Sequence, residues 1–154
     1  MIQGGCPSLR NLCASASSAL KNQGFGSDSF DRLTKRIIGR AIAVHSALGP
    51  GLPESTYEAC LAFELEKEGL RVERQKLLPI LYQGMIFYEG YRIDLLVEGV
   101  VLLELKAVAQ VRDVHLAQLL YYLRLAECPV GLLINFHVAH LREGIRRVIN
   151  SRSA

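Results

Sequence analysis

The sequence predicts a single α/β domain, a mixed β-sheet flanked by helices in the order α-α-β-β-β-α-β-α. One reason is that segments with apolar residues three and four apart alternate with short apolar runs bounded by Gly and Pro. A second is that half of the 154 residues are hydrophobic, enough for a substantial core in one domain. A third is residues 100–108, apolar almost throughout, as expected of a strand covered on both faces.

The elements follow in order. Residues 1–29 are rich in Ser, Ala, Gly and Asn, carry only Arg10, Lys21 and Asp28 as charges, and show no sustained period. A Ser-rich, acid-poor start is compatible with a transit peptide; a disordered arm or extension is the preferred reading, with the domain occupying 30–154. Leu33, Ile37, Ala41, Val44 and Leu48 form one face of a first helix, stopped by Gly49-Pro50-Gly51. Pro53 suits the first turn of a second helix reaching about residue 68, with Tyr57, Leu61 and Leu65 on its inner side and Gly69 as its stop. Residues 72–82 read as a strand with a break at Pro79, Gln83-Gly84 as a turn, and 86–97 as one or two strand segments. Glu98-Gly99 marks the turn into the apolar strand 100–108. A helix over about 112–126, a strand over 130–136 and a last helix over about 141–149, with Leu141, Ile145 and Val148 inward, complete the chain.

A charged fraction of 21% argues against general disorder. No run of 18 uncharged apolar residues exists, so no membrane span is expected. A net charge of +3 permits a polyanionic partner without demanding one. Cys6, Cys13, Cys60 and Cys128 form no CxxC pair and read as reduced thiols of a cytoplasmic protein.

The chemistry concentrates in Glu104-Leu105-Lys106. Charges at i and i+2 share one side of a strand, and inside an apolar run they need pairing or a metal. The alternative is an ordinary Glu–Lys ion pair on an exposed face. Asp94 lies on the preceding strand. A two-residue turn at Glu98-Gly99 would send Asp94 and Glu104 to opposite sides. A three-residue loop over 98–100 sets Val97 opposite Val101 and Asp94 opposite Glu104, and this register is the one predicted. Facing carboxylates repel, and a divalent cation would reverse that penalty.

Asp94 followed by Glu104-Leu105-Lys106 resembles the PD-(D/E)XK nuclease superfamily, with Ile93 where the name has proline. Gly51-Leu52-Pro53-Glu54-Ser55-Thr56-Tyr57 resembles the GxxExxY signature of a small family within it, as do residues 44–51, 115–122 and 131–136; the likeness covers roughly 31–150. The resemblance implies a restriction-endonuclease-like core and a metal-dependent nuclease. Asp94 and Glu104, with the carbonyl of Leu105, would hold Mg²⁺ or Mn²⁺, hard ions suited to oxygen ligands. Lys106 would orient water or offset charge on phosphate, and Glu54 would assist the metal or its water. Glu54 is otherwise explained as an acid stabilising a helix N-terminus. The implied partner is nucleic acid, DNA ahead of RNA, and a homodimer is compatible with so small a domain. A catalytically weak binding or assembly module on the same scaffold is the alternative function.

His115, Gln118 and Tyr122 form one polar stripe on the third helix, and the Gln-x-x-x-Tyr spacing resembles an accessory motif of RecB-like nucleases; a solvated helix edge is the other reading. His115 could contact phosphate or act as a general base, and is expected rather to be a hydrogen-bonding support for the site. His45 on an apolar helix is expected to be packed, and His137 and His140 lack a third ligand at metal spacing. Arg142, Arg146 and Arg147 read as a solvated helical face that could touch phosphate, and Tyr88 and Tyr91 as half-buried strand residues that could stack on a base.

Overall fold

In the computed structural model of the chain, which describes residues 27–151, the apolar run at the middle of the sequence becomes the central strand of a five-stranded sheet. The elements are α1 (Ser27–Leu48), α2 (Glu54–Lys67), β1 (Val72–Tyr82), β2 (Met85–Val97), β3 (Val101–Lys106), α3 (Asp113–Leu125), β4 (Val130–Asn135), a 3₁₀ turn (Leu141–Gly144) and β5 (Ile145–Ile149). The strands lie side by side in chain order, β3 and β4 parallel and the other neighbours antiparallel. A parallel pair needs a long crossover, and α3 supplies it. Most of the predicted N-terminal arm lies outside the described residues, which open inside α1, three residues ahead of the expected start at Phe30.

The sheet is covered on both faces, as the apolar run requires. Leu33, Ile37, Ala41 and Val44 of α1 and Tyr57, Leu61 and Leu65 of α2 pack on Val101, Leu103 and Leu105 of β3 and on Leu132 and Ile134 of β4. Leu119, Tyr122 and Leu123 of α3 pack on Leu102 and Leu133 from the other side. No described helix is long and apolar enough to cross a membrane. Among the described residues Cys60 and Cys128 form no disulfide, while Cys6 and Cys13 fall outside them.

Two expectations need correction. Pro53 is the residue before the first turn of α2 rather than within it. The last helix does not form: residues 141–144 make a single 3₁₀ turn, and 145–149 pair antiparallel with β4 as an edge strand. Leu141 is buried and Ile145 and Val148 half-buried, so the apolar positions were identified correctly but their conformation was not. Gly144 explains the break. A Cβ there would lie 2.2 Å from the Asn135 carbonyl oxygen, so the chain turns sharply against the end of β4 and leaves it extended. Ile145, Val148 and Ile149 are β-branched and suit the strand.

The Gly49–Leu52 loop that leads into α2 is held from below by Tyr57. Its hydroxyl donates to the Gly49 carbonyl at 2.7 Å and accepts from Leu52 N–H at 3.1 Å, while its ring stacks on Phe136 at 4.3 Å. Gly51, at φ 102°, takes a backbone conformation closed to other residues. Glycine and tyrosine thus fix where Glu54, the first residue of α2, begins. Tyr57→Phe keeps the ring stack and removes both hydrogen bonds, so it should lower stability by about 1–2 kcal/mol. Urea denaturation should show the loss as a lower midpoint at unchanged slope.

Candidate active site

β2 and β3 pair over only Leu95↔Leu103, Leu96↔Leu102 and Val97↔Val101. The loop between them is therefore residues 98–100, with Glu98 and Gly99 at φ 52° and 69°. Continuing this register brings Asp94 opposite Glu104, as the parity argument requires. There the ladder stops. Leu105 N–H is accepted by the Asp94 side chain, Oδ2 at 2.8 Å. The strands part at Asp94, and the carboxylate sits in the fork.

Side-chain alternation breaks at the same place. Leu95 and Val97 pack with α1 and α2, yet Ile93, of equal parity, packs with α3. The cause lies across the hairpin at Gln75, which falls between the pairs Arg74↔Leu95 and Lys76↔Ile93 and has φ 49°. One left-handed residue in a strand adds local twist and re-aims its neighbours. Gln75 also turns its amide onto two acids, donating to Glu58 Oε2 and, at 3.4 Å, to Asp94 Oδ1. Glu58 is buried and takes a second hydrogen bond from Arg74 Nε at 2.9 Å.

Glu104 and Lys106 share a side of β3 and form an ion pair of 2.7 Å. Glu104 is only 3% exposed, so this is not a pair on a solvated sheet face. Its second oxygen, Oε2, is buried without a hydrogen-bond partner. Glu54 reaches from α2 to the end of β3, where it accepts from Ala107 N–H at 3.0 Å. Asn135, on the neighbouring strand, holds that segment in place: its side chain accepts from Val108 N–H at 3.1 Å and donates to the Val108 carbonyl at 2.8 Å.

The electrostatics record the crowding. Burial raises the pKa of Asp94, aided by Glu58 and Glu54 and opposed by the Leu105 hydrogen bond and Lys106. Burial likewise raises Glu104, with Asp94 and Glu54 adding to it against the bond from Lys106. Burial opposes the charge on Lys106, but its bond to Glu104 and the nearby acids outweigh that and raise its pKa. Lys106 thus stays an ammonium among several carboxylates.

The predicted stripe on α3 separates into two parts. Gln118 donates to the Tyr122 hydroxyl, and Tyr122 lies close enough for Glu104 and Lys106 to act on its titration. Tyr122 is buried, with the ring of Tyr91 at 5.1 Å, so it is no solvated edge. His115 instead accepts the Arg112 N–H at 3.1 Å and caps the start of α3. His45 is buried, its Nε2 donating to the Val138 carbonyl at 2.9 Å. Arg146 and Arg147 lie on β5 rather than on a helix, Arg146 bonded to the carbonyls of Glu143 and Ile145 and Arg147 paired with Asp31.

Glu58, Gln75 and Asn135 were not singled out from sequence. Glu58 lies four residues after Glu54, on the same face of one helix, which was a usable signal. Asn135 ends an apolar strand, another signal. Nothing in the sequence marks Gln75, whose role depends on its backbone angle.

A family model of the PD-(D/E)XK nuclease superfamily matches residues 31–148. The chain belongs to that superfamily. Comparison with curated proteins and with solved structures gives no match. PD-(D/E)XK nucleases generally use divalent metals. Among the described residues, no three His, Cys, Asp or Glu side chains converge closely enough to hold an ion by themselves. The donor set nevertheless fits a hard cation. Main-chain N–H groups orient Asp94 and Glu54, and Glu104 Oε2 is a buried anionic oxygen with no donor to satisfy it.

The raised pKa of Asp94 has a consequence for stability. The folded state disfavours its charge, a penalty fully present above the folded pKa and absent below the unfolded one. Asp94→Asn should therefore raise the melting temperature at neutral pH in chelator. The gain should shrink as pH falls through the range just above the ordinary carboxylate value, which calorimetric scans across pH would test.

Proposed function

We propose that this protein is a divalent-metal-dependent nuclease that hydrolyses phosphodiester bonds, DNA ahead of RNA, and that it belongs to the GxxExxY branch of its superfamily. The observation that carries the reading is the pairing at the fork of Asp94 with Glu104, one of whose buried oxygens has no partner, beside the Lys106 ammonium. Asp94, Glu104 and the Leu105 carbonyl would hold Mg²⁺ or Mn²⁺, with Glu54 assisting. When bound, such an ion supplies Lewis acidity toward phosphate oxygen and lowers the pKa of a coordinated water.

The chain's own residues do the rest. Hydrolysis joins the water oxygen to phosphorus, breaks one P–O ester bond and delivers a proton to the leaving oxygen. Lys106 holds positive charge where negative charge develops on the phosphoryl oxygens, an electrostatic contribution strengthened by its partial burial. Gln75 donates to the Asp94 carboxylate and is anchored by Glu58, which Arg74 pairs, and Gln118 orients the Tyr122 hydroxyl beside Glu104. His115 supports the site indirectly by fixing the start of α3. Residues 1–29 would be an accessory arm and 30–154 the catalytic domain, in a cytoplasmic protein.

Calorimetry with Mn²⁺ and cleavage of single- and double-stranded DNA and RNA provide the test. Wild type should bind the ion and cut. Asp94→Ala/Glu104→Ala should lose binding, and cleavage should fall by about a hundredfold or more. Lys106→Met should keep binding and lose cleavage by about a hundredfold. Binding without cleavage in the wild type would turn the reading toward a nucleic-acid-binding module, and absence of Mn²⁺ binding would remove the metal centre from it.

A further inference from the structure

The fork that opens the site also strips β2 of a partner. From Met85 to Asp94 no strand of the described residues lies on its side facing away from β1. α3 reaches this edge near Tyr91, whose ring lies 5.1 Å from those of Tyr121 and Tyr122. The tip of the hairpin extends past that cover. Leu81, Tyr82, Met85, Phe87 and Tyr88 are all exposed there, Tyr82 and Met85 by 62% and 65%, and Leu77 is exposed nearer the fork.

Exposed apolar residues are otherwise scattered over the described surface, at Leu48, Phe63, Val114, Tyr121 and Ile149. Those at the tip divide between the two faces of the ribbon, with Tyr82, Met85 and Phe87 on one and Leu81 and Tyr88 on the other. The first three leave roughly 300 Å² open, taking on the order of 200 Å² for each when fully exposed. An edge-to-edge contact would bury side chains of both faces together with the backbone between them, toward the ~800 Å² per partner of a stable interface.

The outer edge of β1 is blunted by Pro79 and by the register shift between Leu78 and Ile80. The free edge of β2 carries no proline, and folded proteins seldom leave such an edge unprotected. Between Leu77 and Tyr91 there is no Lys or Arg, so a polyanion finds no counter-charge at the tip. A surface of the same apolar chemistry does fit. Two copies of one strand related by a two-fold axis run antiparallel, so the row of donors and acceptors on this edge complements itself, and closure consumes both edges.

We propose that the β1–β2 hairpin is a homodimer contact, in which the β2 edge at residues 85–88 pairs with the same edge of a second copy and the apolar tips bury one another. The contact is independent of whether the acidic site cleaves anything. Sedimentation equilibrium of the full chain over a micromolar range should give twice the 17.1 kDa chain mass. Met85→Lys and Tyr88→Lys, both at exposed positions, should reduce the mass to that of one chain with an unchanged circular dichroism spectrum. Phe63→Lys, equally exposed on α2, should leave the dimer intact. Hydrogen exchange at residues 85–88 should be slow in the wild type and fast in the hairpin variants, with β3 and β4 unaffected. A wild-type monomer throughout, or a dimer that both hairpin variants retain, would overturn the proposal. So would protection of the hairpin that appears only when an oligonucleotide is added, which would assign the tip to nucleic acid.

Discussion

The hydrogen bond from Leu105 N–H to Asp94 Oδ2 is the junction on which this architecture turns. A β-ladder normally satisfies each inward N–H with a main-chain carbonyl, and an unsatisfied one is costly. Here a side chain takes that place for one residue, so β2 is free to leave β3 without stranding the donor. The exchange has two effects. It holds a carboxylate against the start of Glu104-Leu105-Lys106, and it opens a fork into which groups from both layers of helices reach. Glu54 and Glu58 come from α2 on one side, Tyr122 from α3 on the other.

The acids gathered there do not favour folding. Burial raises the pKa of Asp94 and of Glu104, neighbouring acids add to it, and Lys106 answers only part of that charge. Much of the surrounding hydrogen bonding serves to hold them. Tyr57 fixes the loop that starts α2, Asn135 fixes the segment that receives Glu54, and Gln75 adopts an unfavourable backbone angle to bond two acids at once. Strain and like charge held in place by a rigid frame are typical of a site shaped for a ligand rather than for stability. Superfamily membership gives that reading its direction.

The fork also accounts for the rest of the hairpin. Once β2 departs from β3 it continues with β1 alone, through the register shift at Pro79 to the turn at Gln83-Gly84. A two-stranded ribbon cannot bury its side chains against itself, which is why the apolar surface of this protein concentrates at the tip. The open site and the unpartnered hairpin are two results of one early end to strand pairing.

The sequence by itself determined much of this. Periodicity marked α1, α2, α3 and the first four strands, because a core covered on both faces forces apolar residues into regular positions. Parity reduces the hairpin to two cases, since a strand repeats every two residues, and the expected three-residue loop is the one that sets Asp94 opposite Glu104. Those arguments concern neighbours along the chain or one turn away. The last segment escaped them: Leu141, Ile145 and Val148 satisfy a helical spacing, but residues 145–149 pair with β4 as a strand, with Gly144 packed closely on the Asn135 carbonyl where the chain turns. Gln75 escaped for the same reason, since its left-handed angle matters only where β1 brings it against Asp94 of β2 and Glu58 of α2. Glu58, Asn135 and the capping role of His115 likewise depend on what the fold brings beside them. Side-chain pattern is local and can be read in order, but backbone strain, burial of charge and the loss of a strand partner exist only once distant segments meet.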